Sequence, residues 1–164
     1  MNTNVMTRAA LLLALAVVFQ SLRLFIPVPL PVNMFLIGSL VNACLILAAW
    51  ETKLSYAVGL ACITPWIAYL QGQLPFLPFV FPVALGNSLF AAWHYWKKGG
   101  IWNAFFGAGI KMCALYGGFC LLFSVVHFPG AVQAVILFAM SWPQLVTGIL
   151  GGMLAFLTRR YVKK

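Results

Sequence analysis

Acidic residues are almost absent from this chain. Glu51 is the only acidic side chain among 164 residues, against ten lysines and arginines. Paired acids for acid–base catalysis, carboxylate metal cages and the acidic relays of ion-driven pumps all need a residue type that the chain lacks. We therefore expect a protein that is not an enzyme and works by binding, with no cofactor and no metal.

Polar surface is scarce as well. Hydrophobic residues make up 64% of the chain and charged residues 7%, and the mean hydropathy is +1.03. Such a chain cannot cover a water-soluble globule with polar groups. The net charge of +9 does not indicate nucleic-acid binding, because the cations are scattered between apolar runs and form no continuous basic face. The composition predicts a protein embedded in a lipid bilayer.

Six apolar runs are separated by charges and by proline and glycine clusters. Each approaches or exceeds the roughly 20 residues that a helix needs to cross a hydrocarbon core of about 30 Å. Uniform runs such as residues 9–19 lack the alternation of a membrane β-barrel. The prediction is an all-α membrane protein, a six-transmembrane-helix bundle forming a single domain over residues 1–164. The predicted helices are about 7–25, 33–50, 54–71, 79–96, 101–126 and 131–158.

Lysines and arginines gather at alternate ends of these runs. With a cytoplasmic N-terminus and an even number of spans, eight of the ten cations lie on the cytoplasmic side, leaving Arg23 and Lys111. This distribution predicts cytoplasmic N- and C-termini. The alternative for the start of the chain is a secretory signal that ends at the small-x-small triplet Ala14-Leu15-Ala16. Against it, the chain stays apolar beyond that triplet.

Polar side chains within the predicted helices require an explanation, because an unpaired polar group in hydrocarbon costs several kcal/mol. They concentrate toward the outer side and the middle of the predicted bundle, where they are candidates for lining one pocket that opens outward. The alternative is that the amides join neighbouring helices and that Arg23 reaches the membrane interface. The candidate substrate-binding residues are Gln20, Arg23, Asn33, Trp66, Gln71, Gln73, Asn87, Lys111 and Gln144.

Lys111 is the most informative of these candidates. It lies ten residues into the fifth predicted helix, which is about 15 Å along the axis and therefore near the bilayer midplane. With no carboxylate in the membrane to pair with it, its amine must be neutral, solvated by backbone carbonyls, or free to bind an anion. We favour the last option, which makes a negatively charged ligand, and a carboxylate in particular, the expected substrate.

Small residues recur at a four-residue spacing in three predicted helices. Ala10 and Ala14 share one face of the first helix, and Ala57 and Ala61 share one face of the third. The segment Gly148-Ile149-Leu150-Gly151-Gly152 provides a comparable surface in the last helix. Such spacing allows another helix to approach closely, whether it belongs to the same chain or to a partner.

The whole chain resembles the substrate-binding S component of energy-coupling factor (ECF) vitamin transporters. The resemblance extends over the full length and combines six spans, the paired alanine motifs and a proline-rich first outer loop at residues 27–31. The remaining segments that carry it are Thr7-Arg8-Ala9-Ala10, Ala84-Leu85-Gly86-Asn87 and Gln144-Leu145-Val146-Thr147-Gly148.

The resemblance implies a division of labour in a bacterial or archaeal plasma membrane. An S component binds a scarce vitamin-like micronutrient, while a transmembrane coupling subunit and two cytoplasmic ATP-binding subunits supply the energy. By this similarity, Ala10, Ala14, Ala57 and Ala61 face the coupling subunit and residues 27–31 gate the pocket. The ligand meets the outer parts of helices four to six, and the bundle topples in the membrane to release it. The lack of a P-loop motif in this chain agrees with an external energy source.

The sequence leaves two other classes of function open. A membrane enzyme would need His94, His127, Tyr116 and Ser124 to meet, but the two histidines fall near opposite membrane interfaces. A non-transport membrane scaffold or assembly protein would need only the alanine faces, with the polar groups serving as packing contacts. The four cysteines lie within predicted helices without CxxC spacing, so they indicate small packing residues.

Overall fold

A computed structural model describes residues 3–25 and 29–162 of the chain. Within these residues every regular element is helical, which confirms the all-α prediction for the described part of the chain. A 3-10 turn, Leu77–Phe79, precedes the fourth helix. The α-helices in chain order are α1 Thr3–Phe25, α2 Leu30–Glu51, α3 Leu54–Leu70, α4 Val80–Trp96, α5 Ile101–Val125, α6 Gly130–Ala139 and α7 Trp142–Val162.

Five helical stretches are long and apolar enough to cross a bilayer, which indicates a multi-pass membrane protein. The helix α3 is also apolar, but with 17 residues it is shorter than these five. The count of six spans and the cytoplasmic position of both termini remain predictions. The five stretches are Thr3–Phe25, Val32–Glu51, Leu77–Trp96, Ile101–Val125 and Gly130–Tyr161.

The last predicted helix, 131–158, is broken into α6 and α7 by a turn at Met140 and Ser141. Pro143 explains the break, because its ring has no N–H to donate and would collide with the carbonyl of Ala139 in a continuous helix. The Gln144 side chain compensates for the lost bond by donating from Nε2 to the Ala139 carbonyl at 3.2 Å. The sequence prediction of one uninterrupted helix was therefore wrong.

The helix α2 begins at Leu30, three residues before the predicted start at residue 33. Proline is tolerated in a first helical turn, where the backbone N–H groups have no intrahelical acceptor. Residues 29–31 thus lead directly into a helix instead of belonging to an extended loop. The remainder of the predicted gating loop, residues 27 and 28, lies outside the described residues.

The helix α2 occupies the centre of the bundle and packs against α1, α3, α4 and α7. Residues 42–46 and 48–50 are all buried, and Leu47 between them is partly buried, so the bundle encloses most of the second half of this helix. Leu45 and Ile46 join Phe90 of α4 and Ala108 of α5 in the main hydrophobic core. Every side chain on this stretch of α2 is therefore positioned to contact a neighbouring helix.

The glycines of α7 allow it to lie directly against α5. A Cβ placed on Gly148 would be 2.5 Å from the Ala108 Cβ, and one placed on Gly152 would be 2.5 Å from the Ala104 Cβ. Two glycines four residues apart thus meet two alanines four residues apart. The small-residue surface predicted on the last helix is used within the chain.

One end of the bundle, which we call the basic end, is where α1 begins and where α2, α4 and α7 end. The sole acidic side chain lies there, with Glu51 Oε1 at 3.1 Å from Arg159 Nε and Oε2 at 3.5 Å from Arg8 Nη1. Lys98 Nζ donates to the Trp50 carbonyl at 3.4 Å. The one carboxylate is thus occupied in joining three helix ends.

Candidate binding site

A central polar cluster, formed by Lys111, Asn42 and Thr147, joins α5, α2 and α7. Lys111 is 5% exposed, and its Nζ donates to Asn42 Oδ1 at 2.6 Å. Asn42 Nδ2 donates to Thr147 Oγ1 at 3.3 Å, and this hydroxyl donates to the Gln144 carbonyl at 3.2 Å. The Phe90 ring centroid lies 5.3 Å from Nζ. The Lys111 side chain is therefore held inside the bundle and does not point toward lipid.

The amine of Lys111 has more hydrogen-bonding capacity than its surroundings use. A lysine ammonium carries three N–H donors, and Asn42 is the one hydrogen-bond acceptor that the described residues offer it. The aromatic face of Phe90 adds a weak cation–π attraction. Since Glu51, the sole acidic side chain, is bound to arginines at the basic end, no acidic side chain neutralises Lys111.

A second group of polar side chains, which we call the amide cluster, joins α1 and the end of α3. Gln20 Nε2 donates to the Thr64 carbonyl at 3.2 Å, and Gln73 Nε2 donates to the Gln20 carbonyl at 2.9 Å. Gln73 Nε2 also lies 2.8 Å from Gln71 Oε1, and Gln71 Nε2 donates to Ser21 Oγ at 2.9 Å. The structure thus brings together three of the predicted site residues at the end opposite the basic end.

Three buried amides retain an oxygen without a hydrogen-bond partner. Asn33 on α2 and Asn87 on α4 are each 5% exposed, and Gln20 is 6% exposed. Asn33 Oδ1, Asn87 Oδ1 and Gln20 Oε1 have no partner in the described part of the chain. A buried polar atom that lacks a partner costs about 1–3 kcal/mol. Such atoms are places where a water or a ligand would lower the free energy.

Two predicted site residues have other roles. Trp66 is 44% exposed, and its ring packs edge-on against Phe81, itself exposed, with centroids 6.3 Å apart. It therefore lies on the outer surface of the bundle and cannot line an internal pocket. Gln144 caps the carbonyl at the α6–α7 break.

Arg23 is partly buried in the last turn of α1, and none of the described residues forms a hydrogen bond with its guanidinium.

The predicted partner surface divides into two pairs of alanines. Ala57 and Ala61 are fully buried at 0% exposure and belong to the hydrophobic core. The prediction that they face a coupling subunit was wrong, because their face of α3 packs within the chain. Ala10 and Ala14 of α1 are exposed and stay accessible to another protein.

The described residues form three concave regions, and all three lie away from the predicted substrate-binding site. Cavities of about 370 and 410 Å³ lie at the basic end, and a shallow groove of about 610 Å³ lies on the outer face of α4 and α5. None of these three is lined by any of the nine predicted substrate-binding residues. In this conformation the bundle is closed around Lys111, Asn33 and Asn87.

Sequence reasoning missed Asn42 and Thr147 as members of the central polar cluster. Asn42 is an amide in the middle of an apolar helix, which is the same signal that identified Asn33 and Asn87. Thr147 lies three residues after Gln144, one helical turn away and on a similar face. What no sequence pattern specified is that Asn42 reaches Lys111 from α2 and that Thr147 of α7 in turn binds Asn42.

Comparison of the chain with protein-family models, with curated proteins and with solved structures finds no match in any of the three. The described chain is an all-helical protein with five apolar stretches of membrane-spanning length. Its core encloses a lysine that no acidic residue of the chain neutralises.

Proposed function

We propose that this chain is the membrane-embedded, high-affinity binding subunit of an uptake system for a small, vitamin-like, anionic micronutrient. In this proposal six transmembrane spans place both termini, and the basic end, in the cytoplasm of a bacterial or archaeal cell. The resemblance to ECF S components motivates the class of system. The observation that carries the proposal is the buried amine of Lys111, whose one hydrogen-bond acceptor among the described residues is the neutral amide of Asn42.

The chemistry around Lys111 favours an anion as the ligand. Removing an ammonium from water costs several kcal/mol, and a neutral amide recovers only part of this cost. A ligand carboxylate would accept the N–H donors that Asn42 leaves unused and would supply the missing opposite charge. The unpartnered amides of Asn33 and Asn87 are available to bond polar groups elsewhere on the ligand.

Energy for uptake must come from other subunits in this proposal. The chain has no P-loop motif, and its one acidic side chain is paired with arginines at the basic end, so neither ATP nor an ion gradient has a coupling site of known type. We propose a transmembrane coupling subunit and two cytoplasmic ATP-binding subunits as partners. The exposed Ala10 and Ala14 on α1 are the candidate contact surface.

The alternative proposal is a non-transport membrane scaffold or assembly protein. One observation favours it: the polar side chains at the centre and at the far end already join helices to one another, as in Lys111–Asn42 and Gln73–Gln20. If these bonds serve packing alone, no ligand is needed. The two proposals differ in whether a small acid stabilises the purified protein.

A panel of matched ligand pairs tests the proposal. The purified chain is heated in detergent with nicotinate or nicotinamide, with pantothenate or panthenol, and with biotin or biotin amide. We expect one acid to raise the unfolding temperature and its neutral counterpart to have no effect. A ligand at 100 times its Kd stabilises the folded state by about 2.7 kcal/mol, which a thermal scan resolves.

Variants connect any stabilisation to the buried amine. Lys111→Met removes the charge and keeps an unbranched apolar side chain, and we expect it to abolish the stabilisation by the acid. Lys97→Met is the matched control, because Lys97 is exposed at the end of α4 and should leave the response unchanged. A panel in which no acid stabilises the wild-type chain, or an equal response in Lys111→Met, would favour the scaffold.

Copurification tests the proposed partnership separately. Tryptophan at Ala10 or Ala14 enlarges the exposed α1 surface, whereas Leu15→Trp serves as the control, because Leu15 is also exposed but lies about 100° around the helix from Ala14. We expect the two alanine variants to lose a coexpressed coupling subunit and the control to retain it. Retention in all three variants would contradict docking through these alanines.

A further inference from the structure

A cavity of about 370 Å³ lies at the basic end, between the ends of α2 and α4, the start of α5 and the second half of α7. Its volume falls within the range of about 300–1,000 Å³ that is typical of small-molecule sites. Its walls are mainly apolar, with Ala104 of α5 and Met153 and Leu157 of α7 among them. The predicted binding site does not use this cavity.

Two polar side chains that line this cavity are buried without partners. Trp50 is 6% exposed and His94 is 1% exposed. Trp50 Nε1 and both ring nitrogens of His94 form no hydrogen bond within the described residues. The rings lie edge to face, with centroids 6.3 Å apart. Because unmet hydrogen bonds at buried groups are costly, an occupant that reached the indole N–H and accepted its hydrogen bond would lower the free energy.

The rim of the cavity belongs to the outer surface of the bundle. Ile101, Met153 and Leu157 line the cavity and are 53%, 47% and 47% exposed. These residues belong to α5 and to α7, both in stretches of membrane-spanning length. An occupant therefore enters between α5 and α7 from the bilayer, near the depth at which the helices end.

Two cations contact Trp50, which is one of the residues that line the cavity. Lys98 Nζ donates to the Trp50 carbonyl at 3.4 Å, and the Arg159 guanidinium lies 5.3 Å from the centroid of the Trp50 ring. Glu51 binds Arg159 and Arg8, so these three cations and one acid leave a net positive charge. The surroundings of Trp50 thus combine an unused N–H donor, an apolar cavity and excess positive charge.

We propose that this cavity is a binding site for one anionic phospholipid. An acyl chain lies against Met153 and Leu157, and an ester carbonyl at the glycerol accepts the hydrogen bond from Trp50 Nε1. The phosphate lies toward Lys98 and Arg159, and a neutral His94 has one N–H for the second ester carbonyl. Cations near a membrane surface favour anionic lipids. This inference requires only that the chain is embedded in a bilayer, and it does not depend on the proposed transport function.

Lipid retention measured by native mass spectrometry tests the site. The full chain is extracted in a mild detergent with equal amounts of phosphatidylglycerol and phosphatidylcholine that carry identical acyl chains. We expect one phosphatidylglycerol to remain bound, with a preference of at least about five-fold, the effect of a single favourable cation. Retention of both lipids in equal amounts, or of neither, would overturn the proposal.

Paired variants separate the cavity from the general surface. Leu157→Trp fills the cavity from its rim and should abolish retention, whereas Leu154→Trp on the same helix, outside the lining, should not. Trp50→Phe keeps an aromatic ring without the N–H and should weaken retention about two- to ten-fold. Lys98→Ala should reduce the preference for phosphatidylglycerol, and Lys97→Ala should leave it intact. Unchanged retention in folded Leu157→Trp would refute the site.

A crosslinking measurement needs no variant and so does not depend on variant folding. Phosphatidylglycerol with a diazirine in one acyl chain is irradiated with the wild-type protein in nanodiscs, and the labelled residues are mapped. We expect the adducts to concentrate on Ile101, Met153 and Leu157. Adducts distributed evenly over the exposed residues of α1 and α5 would show nonspecific lipid contact and contradict the proposal.

Discussion

The contact between α7 and α5 provides the sharpest prediction about stability. In Gly152→Ala the new Cβ would lie 2.5 Å from the Ala104 Cβ and 3.5 Å from its Cα. Carbon atoms pack best at about 3.5–4.0 Å, so the two helices must separate by about 1 Å. A Cβ is attached rigidly to the backbone and cannot rotate away, so the strain must be relieved by moving a helix.

The size of the stability loss in Gly152→Ala follows from comparison with a glycine that has open space around it. A Cβ on Gly109 would meet nothing within 4 Å. Both substitutions gain the same intrinsic helix propensity of about 1 kcal/mol, and this gain cancels in the comparison. The remaining difference is the cost of overpacking, about 1–3 kcal/mol. We expect a value near the upper limit, because the Ala104 atoms that must give way belong to a helix backbone and its Cβ.

Thermal unfolding in detergent, followed by tryptophan fluorescence, measures this difference. We expect Gly152→Ala to unfold at a lower temperature than the wild type and Gly109→Ala to unfold at the same temperature or a higher one. Replacing Ala104 by glycine in the Gly152→Ala background removes the opposing Cβ. This second change should restore most of the stability that Gly152→Ala loses. Equal stability of Gly152→Ala and Gly109→Ala, or no rescue by Ala104→Gly, would refute the packing argument.

Three further predictions use the same preparation. Asn42→Leu removes the hydrogen-bond acceptor of the Lys111 amine and should cost about 1.5–3 kcal/mol of stability. Adding Lys111→Met removes the unpaired amine, so the double variant should regain part of this stability. Glu51→Gln should cost less than about 1 kcal/mol for each of its two partly exposed arginine contacts, among them Arg159, and the loss should shrink in high salt. Cys44 is 1% exposed and should react with a maleimide only after the protein is denatured.

Each of these three has an outcome that would contradict it. Full stability of Asn42→Leu would mean that Lys111 has another acceptor. A large, salt-independent loss in Glu51→Gln would mean that this ion-pair network is far less solvated than its exposure indicates. Rapid labelling of Cys44 in the folded protein would mean that α2 is not enclosed by the other helices.

Composition and the lengths of the apolar runs predicted the helices well, because long apolar runs have few alternatives in a membrane. The boundaries of α3, α4 and α5 lie within one residue of the predicted ones. The break between α6 and α7 was missed, although Pro143 is visible in the sequence. Proline kinks or breaks a helix according to whether neighbouring groups can satisfy the freed carbonyl, and that depends on the side chain of Gln144.

The site was predictable in its residue types and less so in its arrangement. Buried polar residues were expected to matter, and Lys111, Asn33 and Asn87 are indeed buried. Which face of a helix points inward could not be derived for α3, whose apolar residues surround it with little periodicity. For this reason Trp66 was expected inside and lies outside, while Ala61 was expected to face a partner and lies in the core.

The substitution Asn42→Asp tests most directly whether the buried amine of Lys111 binds an anionic ligand. This nearly isosteric change places a carboxylate where Asn42 Oδ1 now accepts the bond from Lys111 at 2.6 Å, and so supplies the missing charge from within the chain. The measurement is the titration of wild type and Asn42→Asp with the acid that stabilises the wild type in the ligand panel. We predict a folded variant that binds this acid about 10- to 150-fold more weakly, the loss of one charge-assisted hydrogen bond. Equal affinity in the two proteins would contradict the claim.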